Sequence, residues 1–364
     1  MGDNEEKIEE IEKEIRKTQY NKATQHHIGL LKAKIAKLRH EDEKKAKSGK
    51  KGEGYSVRKT GDATIIMLGY PSVGKSTLLN SLTNADSEVA SYEFTTLDVI
   101  PGMMLLKGAK IQLLDVPGVV EGAASGKGRG KEVLSVMRTA DLILFVVAVE
   151  KTEQLDILKQ EVYDAKIRLN QRKPDVKIKR KEKGGISIGS TVKLTHTTKD
   201  TLKEILREMG YLNADAVVRD NVTVDQYIDA IEANRAYIPA ISVLNKADLV
   251  SEKKAKQLAN EIGADIIISA EKKRNLDNLK DLMWNKLSLI RIYMKEPGKP
   301  ADKKEPLIIK EGSTIKDVCM QVHKDMLKRF KFARVTGPSA RFEGQKLMQG
   351  HALLDEDVLE LHLR

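Results

Sequence analysis

Residues 69–76 read Gly-Tyr-Pro-Ser-Val-Gly-Lys-Ser, between an apolar run at 63–68 and a helix-forming stretch at 77–82. This G-x-x-x-x-G-K-S spacing between a strand and a helix constrains the chain more than any other feature. The glycines permit a turn in which backbone N–H groups converge on an anion. Lys75 reaches the terminal phosphates, and the Ser76 hydroxyl suits Mg²⁺. Ser72, Val73 and Gly74 form the cradle, and Thr77 begins the helix whose positive end faces the same anion. A glycine-rich turn can also serve packing alone, and the motifs downstream decide between the two.

Asp115-Val116-Pro117-Gly118 comes directly after the apolar run at 111–114. An acidic residue at a strand end can hold Mg²⁺ through water, and Gly118 can offer a backbone N–H to a γ-phosphate. The run at 238–244 ends in Asn245-Lys246-Ala247-Asp248, and the run at 265–268 ends in Ser269-Ala270. Open parallel sheets bind ligands at such strand ends. The Asp248 carboxylate can accept two hydrogen bonds from the guanine N1–H and amino group. Adenine has no such pair of donors and would leave the carboxylate unpaired, so GTP is favoured over ATP. Lys246 is expected along the base plane, with the backbone of Ser269 and Ala270 facing the guanine O6. Asn245 completes the motif.

At 364 residues with 40% hydrophobic side chains, the chain is long enough for two or three domains with ordinary cores. No apolar stretch is long enough to span a bilayer, and the charged segment 1–14 does not resemble a secretory leader, so a cytoplasmic protein is expected. Cys319 is the single cysteine, which excludes an internal disulfide and a multi-cysteine zinc site. It reads as a core thiol.

A net charge of +11 suggests a polyanionic partner, structured RNA or the ribosome, with nothing pointing to DNA. Two basic stretches carry much of it. Residues 44–59 read as a flexible linker, and 166–183 as a solvated basic block containing Lys177, Lys179, Arg180, Lys181 and Lys183. Aromatic residues make up only 4%, so phosphate contact to folded RNA is expected rather than stacking of single-stranded bases.

Ile8, Ile11 and Ile15, then Leu31, Ile35 and Leu38, form two helical stripes. They predict a hairpin packed on itself or on the nucleotide domain, with His26 and His27 as surface residues near its bend. Residues 1–60 are assigned to this hairpin and its linker, and 61–295 to an α/β nucleotide domain with a mostly parallel sheet covered by helices on both faces. Nearly ninety residues separate the strands ending at Val149 and starting at Ile238, which requires an inserted α+β subdomain at about 170–236, after a helix expected over 153–169. Turn-forming residues 296–300 introduce a last α+β module, 296–364, with a single amphipathic helix expected over 315–330.

The phosphate loop, Tyr92-Glu93-Phe94-Thr95-Thr96-Leu97, Asp115 to Gly118, Asn245 to Asp248 and Ser269-Ala270 occur in this order. Together with Asn21-Lys22-Ala23-Thr24, Lys183-Gly184-Gly185-Ile186 and the ending from Gly350-His351 to Val358, they resemble the DRG (developmentally regulated GTP-binding) family of Obg-related GTPases. The resemblance covers nearly the whole chain. It implies a P-loop GTPase domain, a helix-turn-helix-like N-terminus, a C-terminal TGS domain of β-grasp fold, and action at ribosomes.

The family pattern puts the Mg²⁺-binding switch threonine at Thr96, with Thr95 open as the alternative. Lys75, Thr96 and Gly118 are then the expected catalytic residues, and Ser76, Thr96 and Asp115 the expected metal ligands. Val119 stands where many small GTPases place a water-orienting glutamine, so intrinsic hydrolysis should be slow unless K⁺, another side chain or a protein activator contributes. Related GTPases hold K⁺ partly through a phosphate-loop asparagine, and Ser72 in its place weakens that expectation. Residues 122–130 read either as a flexible glycine-rich segment or as a second switch that orders with GTP and exposes Arg129 to phosphate or to a partner. Two other functions stay open: a GTP-gated scaffold for proteins, and an RNA-binding module whose nucleotide site is structural.

Overall fold

The computed structural model describes residues 3–19, 21, 24–47, 61–83, 100–116 and 136–363. The expected switch residues Thr95, Thr96, Gly118 and Val119, the segment 122–130 and residues 48–60 of the basic linker lie outside them. The chain divides into two compact units, Met1–Gly54 with Gln171–Tyr237, and Tyr55–Asn170 with Ile238–Arg364.

The second unit contains β1 (Ala63–Leu68), α3 (Lys75–Leu82), β2 (Ile100–Leu106), β3 (Ala109–Asp115), β4 (Leu142–Ala148), α4 (Gln154–Asp164) and β5 (Ile167–Leu169). After residues 171–237 it resumes near β9 (Ala236–Ile238) with β10 (Ala240–Asn245), α7 (Glu252–Ile262), β11 (Ile266–Ile267) and α8 (Leu276–Leu287). Its six-stranded sheet runs β11-β10-β4-β1-β3-β2, parallel except for β2. Every residue of β1, β4 and β10 is buried, which explains why these strands read as continuous apolar runs rather than alternating ones. Leu78 and Leu79 of α3 and Leu279 and Met283 of α8 share one core with Ile65 and Leu144. The helix expected over 153–169 stops at Asp164. Lys166 turns left-handed at φ 64°, and the chain continues as β5.

The same unit ends with β12 (Leu289–Lys295), β13 (Leu307–Lys310), α9 (Ile315–Val322), α10 (Lys324–Arg329), β14 (Phe330–Thr336), β15 (Gln345–Leu347) and β16 (Asp357–Leu363). These strands form a five-stranded sheet in the order β13-β12-β16-β14-β15. Alternation along β12 serves two cores: Leu289 joins the core of the six-stranded sheet, whereas Ile290 and Ile292 pack with Ile315, Val318 and the buried Cys319. Ile308 of β13 likewise joins the core of the six-stranded sheet, and Lys310 Nζ donates to Leu287 O at 3.2 Å. The single helix expected over 315–330 is two helices. His323 adopts an extended conformation (φ −163°), ends α9, and accepts the Asp325 N–H on its Nδ1 to start α10.

The first unit joins α1 (Asp3–Lys17) and α2 (Gln25–Lys47) to β6 (Val176–Arg180), β7 (Ile186–Ser190), α5 (Lys199–Glu208), β8 (Ala214–Val218) and α6 (Val224–Glu232). The hairpin packs on itself and on the insert. Ala33 and Ala36 of α2 lie among Leu202, Ile205, Tyr227 and Ile228, and Lys32 pairs with Asp225 at 2.7 Å. A Cβ on Gly29 would stand 3.3 Å from Thr201 Cγ2, so glycine lets α2 come close to α5. His26 is half-buried instead of being a plain surface residue: its Nδ1 meets Thr201 Oγ1 at 3.0 Å and its Nε2 lies 3.3 Å from Glu204. The start of the expected linker, as far as Lys47, is the last turn of α2. The basic block contains a strand, β6, whose Val176 and Ile178 pack inward while Lys177 and Lys179 are exposed.

Candidate functional site

Four segments meet at the carboxyl ends of β1, β3, β10 and β11, where a parallel sheet gathers backbone and side chains from distant parts of the chain. The phosphate loop leaves the fully buried β1 and turns at Gly69. A Cβ there would meet Val146 O at 2.4 Å. The turn continues through two left-handed residues, Ser72 (φ 65°) and Gly74 (φ 92°), before α3 starts at Lys75. No side chain caps that helix, so its first-turn donors face the loop.

Lys75 folds back over the loop, and its Nζ donates to Gly69 O at 2.9 Å and Tyr70 O at 3.1 Å. Burial pushes its pKa below the usual lysine range, against the opposing pull of the Asp115 charge. Ser76 Oγ donates to Asp115 Oδ2 at 3.2 Å, and Asp115 Oδ1 is buried with no partner among the described residues. A hydroxyl and a buried carboxylate oxygen lacking a donor form a hard oxygen pair that fits a divalent cation of the Mg²⁺ type. No group of three or more His, Cys, Asp or Glu able to hold a metal occurs among the described residues. Ser76 and Asp115 alone therefore do not complete a protein cage, as expected for an ion that also takes phosphate oxygens and water.

The base side is ordered by its own hydrogen bonds. Asn245 is 1% exposed, and both ends of its amide are engaged: Nδ2 donates to Val73 O at 3.0 Å and Oδ1 accepts from Ala270 N at 3.0 Å. It ties the phosphate loop to the Ser269-Ala270 turn. The motif suggests Asn245 from its position; the spanning role appears only when β11, β10, β4 and β1 are set in one sheet. Ser81 of α3 adds a bond to Ala270 O at 3.2 Å. The Ser269 hydroxyl donates to Asp248 Oδ1 and holds that carboxyl below the usual carboxylate range. Asp248 is therefore set as an acceptor before any base arrives. Lys246 takes a left-handed backbone (φ 61°) and pairs with Glu150 at 3.5 Å, a partner that nothing in the sequence motif indicates. Thr77 lies exposed in the first turn of α3. Thr96 and Gly118 are outside the described residues.

A family model described as 50S ribosome-binding GTPase matches residues 64–180, one described as the C-terminal region of that domain matches 183–289, and a TGS domain matches 290–363. The chain is 52% identical to an uncharacterized GTP-binding protein of Methanocaldococcus jannaschii, over 99% of this chain and 93% of that one. It is 44% identical to human developmentally-regulated GTP-binding protein 2, over 98% of each chain. Among solved structures, the YchF GTPase of Schizosaccharomyces pombe is similar with a TM-score of 0.47 at 14% identity, covering 84% of this chain and 99% of that one. Identity at this level along almost the whole of both chains leads to one conclusion: the chain belongs to the developmentally regulated GTP-binding protein family, with a P-loop GTPase domain followed by a TGS domain.

Proposed function

We propose that the protein is a GTP-hydrolysing switch that acts with the ribosome or structured RNA. The observation that carries the chemistry is the buried, unpartnered Asp115 Oδ1 beside Ser76 at the uncapped start of α3. Ser76, Asp115 and Thr96 would hold Mg²⁺, which when bound neutralises phosphate charge. Lys75, held over the loop by two carbonyls, transfers its donors to the β- and γ-phosphates. The Gly118 N–H donates to the γ-phosphate, and water attacks in line. Ser72, Val73, Gly74 and Thr77 contribute loop and helix N–H groups. Asp248 accepts from guanine, Lys246 lies along the base, and Asn245, Ser269 and Ala270 shape the base pocket.

Val119 offers no group to orient water, so intrinsic turnover is slow and stimulation comes from outside the chain. K⁺ is the simplest stimulant, although Ser72 supplies fewer donor atoms than an asparagine. Support for an RNA partner comes from the net charge of +11, from the exposed Lys177 and Lys179 on β6, and from the ribosome-binding description of the matching family. No described helix is long and apolar enough to cross a membrane, and a partner of this kind puts the protein in the cytoplasm.

Steady-state GTP turnover in K⁺ buffer, with and without purified ribosomes, tests both parts. Stimulated turnover is the expected result. Slow turnover that ribosomes leave unchanged would keep the GTPase and remove the ribosome as its activator. Absence of turnover in both conditions would overturn the proposal in favour of a structural nucleotide site.

A further inference from the structure

The hairpin of β2 and β3 joins two places that the sequence keeps apart. At one end its ladder pairs Ile100 with Asp115, the carboxylate beside Ser76, and Thr96 precedes Ile100 by four residues of sequence. At the other end Leu106 pairs with Ala109 across a two-residue turn, Lys107-Gly108, and both flanking residues are buried in the core of the six-stranded sheet. Lys107 is left-handed at φ 51° and Gly108 at φ 86°, the geometry of a tight hairpin turn. Glycine takes that backbone freely and lysine takes it under strain, so the surroundings must hold Lys107 in place.

Those surroundings belong to α8 and to the TGS domain. Lys107 Nζ pairs with Asp281 at 3.0 Å and lies 5.5 Å from the ring centroid of Trp284, the single tryptophan of the chain. The Arg291 guanidinium of β12 lies 5.9 Å from the same centroid, so one buried indole attracts a cation from each domain. Gly108 faces Pro306, the residue before β13, where an added Cβ would stand 2.7 Å from the proline Cγ. Arg291 in turn donates its backbone N–H to Asp355 Oδ1, and its side chain donates to Asp355 Oδ2 and Glu356 Oε1, each at 2.7 Å. Contacts therefore run in sequence from the Asp115 end of the ladder to the loop that leads into β16.

We propose that this hairpin transmits the presence of a γ-phosphate to the TGS domain, with the Lys107-Gly108 turn as its pushing end and Pro306, Trp284 and Arg291 as the receivers. A two-stranded ladder is stiff along its length, because a slip of one strand must break the register of all seven residue pairs together. At the turn, close packing leaves neither Gly108 nor Pro306 room to absorb a displacement, and close-packed interiors pass strain on. A group bound at the Asp115 end is therefore felt at the far end. The inference rests on the reading of Thr96 and Asp115 as groups that meet Mg²⁺ and phosphate, and it adds the route by which the occupancy of that site leaves the GTPase domain. Such coupling is reciprocal, so a change at Pro306 must alter the preference of the site for GTP over GDP.

The test is the Trp284 emission of the full chain with Mg²⁺ and either GDP or a non-hydrolysable GTP analogue, in the wild type and in Lys107→Met, Lys107→Arg, Pro306→Gly and Lys256→Met. GDP binding by each variant reports that it is folded. The two nucleotides share their base, so a difference between their spectra originates on the phosphate side. The wild-type spectra are expected to differ, Lys107→Met to lose most of that difference, and Lys107→Arg to keep it. In competition binding, Pro306→Gly should change the ratio of analogue to GDP affinity by about fivefold, the low end of ordinary coupling. Lys256→Met, on the exposed face of α7, should change neither quantity. Identical wild-type spectra alongside normal turnover would overturn the relay and leave the GTPase reading intact. A spectral difference that Lys107→Met leaves whole, or an affinity ratio that Pro306→Gly leaves at the wild-type value, would overturn it by sending the signal along another route. A chain that binds neither nucleotide would overturn this inference together with the proposed function.

Discussion

The nucleotide site and the outer face of the TGS sheet are both assembled from strands far apart in the chain, yet they are built on opposite principles. In the parallel sheet both faces are covered, every residue of β1, β4 and β10 is buried, and chemistry is confined to the strand ends. Short local motifs then suffice, because each loop must satisfy its own backbone while it shapes the ligand. In the TGS sheet one face packs into the TGS core, while the other gives Leu289 and Ile308 to the core of the GTPase domain and leaves Phe332, Arg334 and His362 half-buried or exposed. The side chains of that second face follow only the period-two pleat and occur singly, as Phe332 and His362 do. A sheet covered on both faces confines its polar side chains to the strand ends, and a partly covered sheet spreads them along its strands.

The largest test of this contrast is Asp115→Ala. The variant removes the buried carboxylate that Ser76 contacts, and Mg²⁺-dependent turnover should fall by about a thousandfold, the scale of several kcal/mol of lost charge stabilisation. Single-turnover hydrolysis measures it, and retained turnover would break the claim that chemistry is concentrated at the strand ends. Next in size is Asp248→Asn, which inverts one partner of the guanine pair. The ratio of GTP to xanthosine triphosphate affinity should fall by about a hundredfold or more, read by competition binding, and an unchanged guanine preference would refute the base site.

The same contrast explains what could be read without coordinates. That the 69–76 loop, Asp115, and the Asn245 to Asp248 and Ser269-Ala270 segments lie together at strand ends was legible, because strain, capping and charge impose residue types at fixed spacing. The order of strands and helices in the GTPase domain was legible from long apolar runs. The Asn245 bridge to Val73 and Ala270, the Glu150 partner of Lys246 and the packing of α2 on the insert were not. Each depends on neighbours brought together only by the tertiary fold, as Glu150 and Lys246 are across 96 residues of chain, or on a helix face whose partner the periodicity does not name. Interior breaks were missed for a related reason. His323 and Lys166 end helices through backbone conformations that ordinary residues adopt only in context.

A pair of glycine substitutions sharpens the comparison at smaller scale. Gly74 has φ 92°, and an added Cβ would stand 2.5 Å from Asn245 Nδ2, so Gly74→Ala combines a strained backbone with displacement of the bridge. It should cost about 1–3 kcal/mol and weaken GTP binding. Gly344 in the TGS domain has φ 68° with nothing within 4 Å of the added atom, so Gly344→Ala should cost about 1 kcal/mol and leave GTP affinity unchanged. Thermal melts with and without GTP separate the two. Equal loss of GTP affinity would mean that the nucleotide site is not as locally determined as its motifs suggest.

Asp248 gives the corresponding prediction in pH. The Ser269 hydroxyl lowers its folded pKa, so the stabilising contribution is complete above the ordinary carboxylate value of about 4 and is lost as pH falls through the lower folded value. Ser269→Ala removes the donor. The Asp248 carboxyl carbon-13 resonance should then titrate at a higher pH than in the wild type, and an unchanged midpoint would exclude Ser269 as the group that sets the acceptor.

The smallest effect comes from a second buried oxygen without a partner, and it tests what such an atom means. Tyr227 Oη, like Asp115 Oδ1, is buried and unpartnered among the described residues, and burial raises its pKa far above the usual phenol value. Asp115 ends a strand beside a phosphate loop, whereas Tyr227 sits in the core of the first unit among Leu202, Leu206 and Ile228. Under the proposed function only the first environment would offer a cation that could satisfy the oxygen. Tyr227→Phe should therefore raise the unfolding free energy by about 1 kcal/mol, because the ring keeps its packing and the desolvated hydroxyl is removed. Denaturant unfolding followed by circular dichroism measures the change. A loss of stability would mean that the hydroxyl has a partner in solution, and that an unpaired buried oxygen marks a ligand site only when a strand end and a helix start meet beside it.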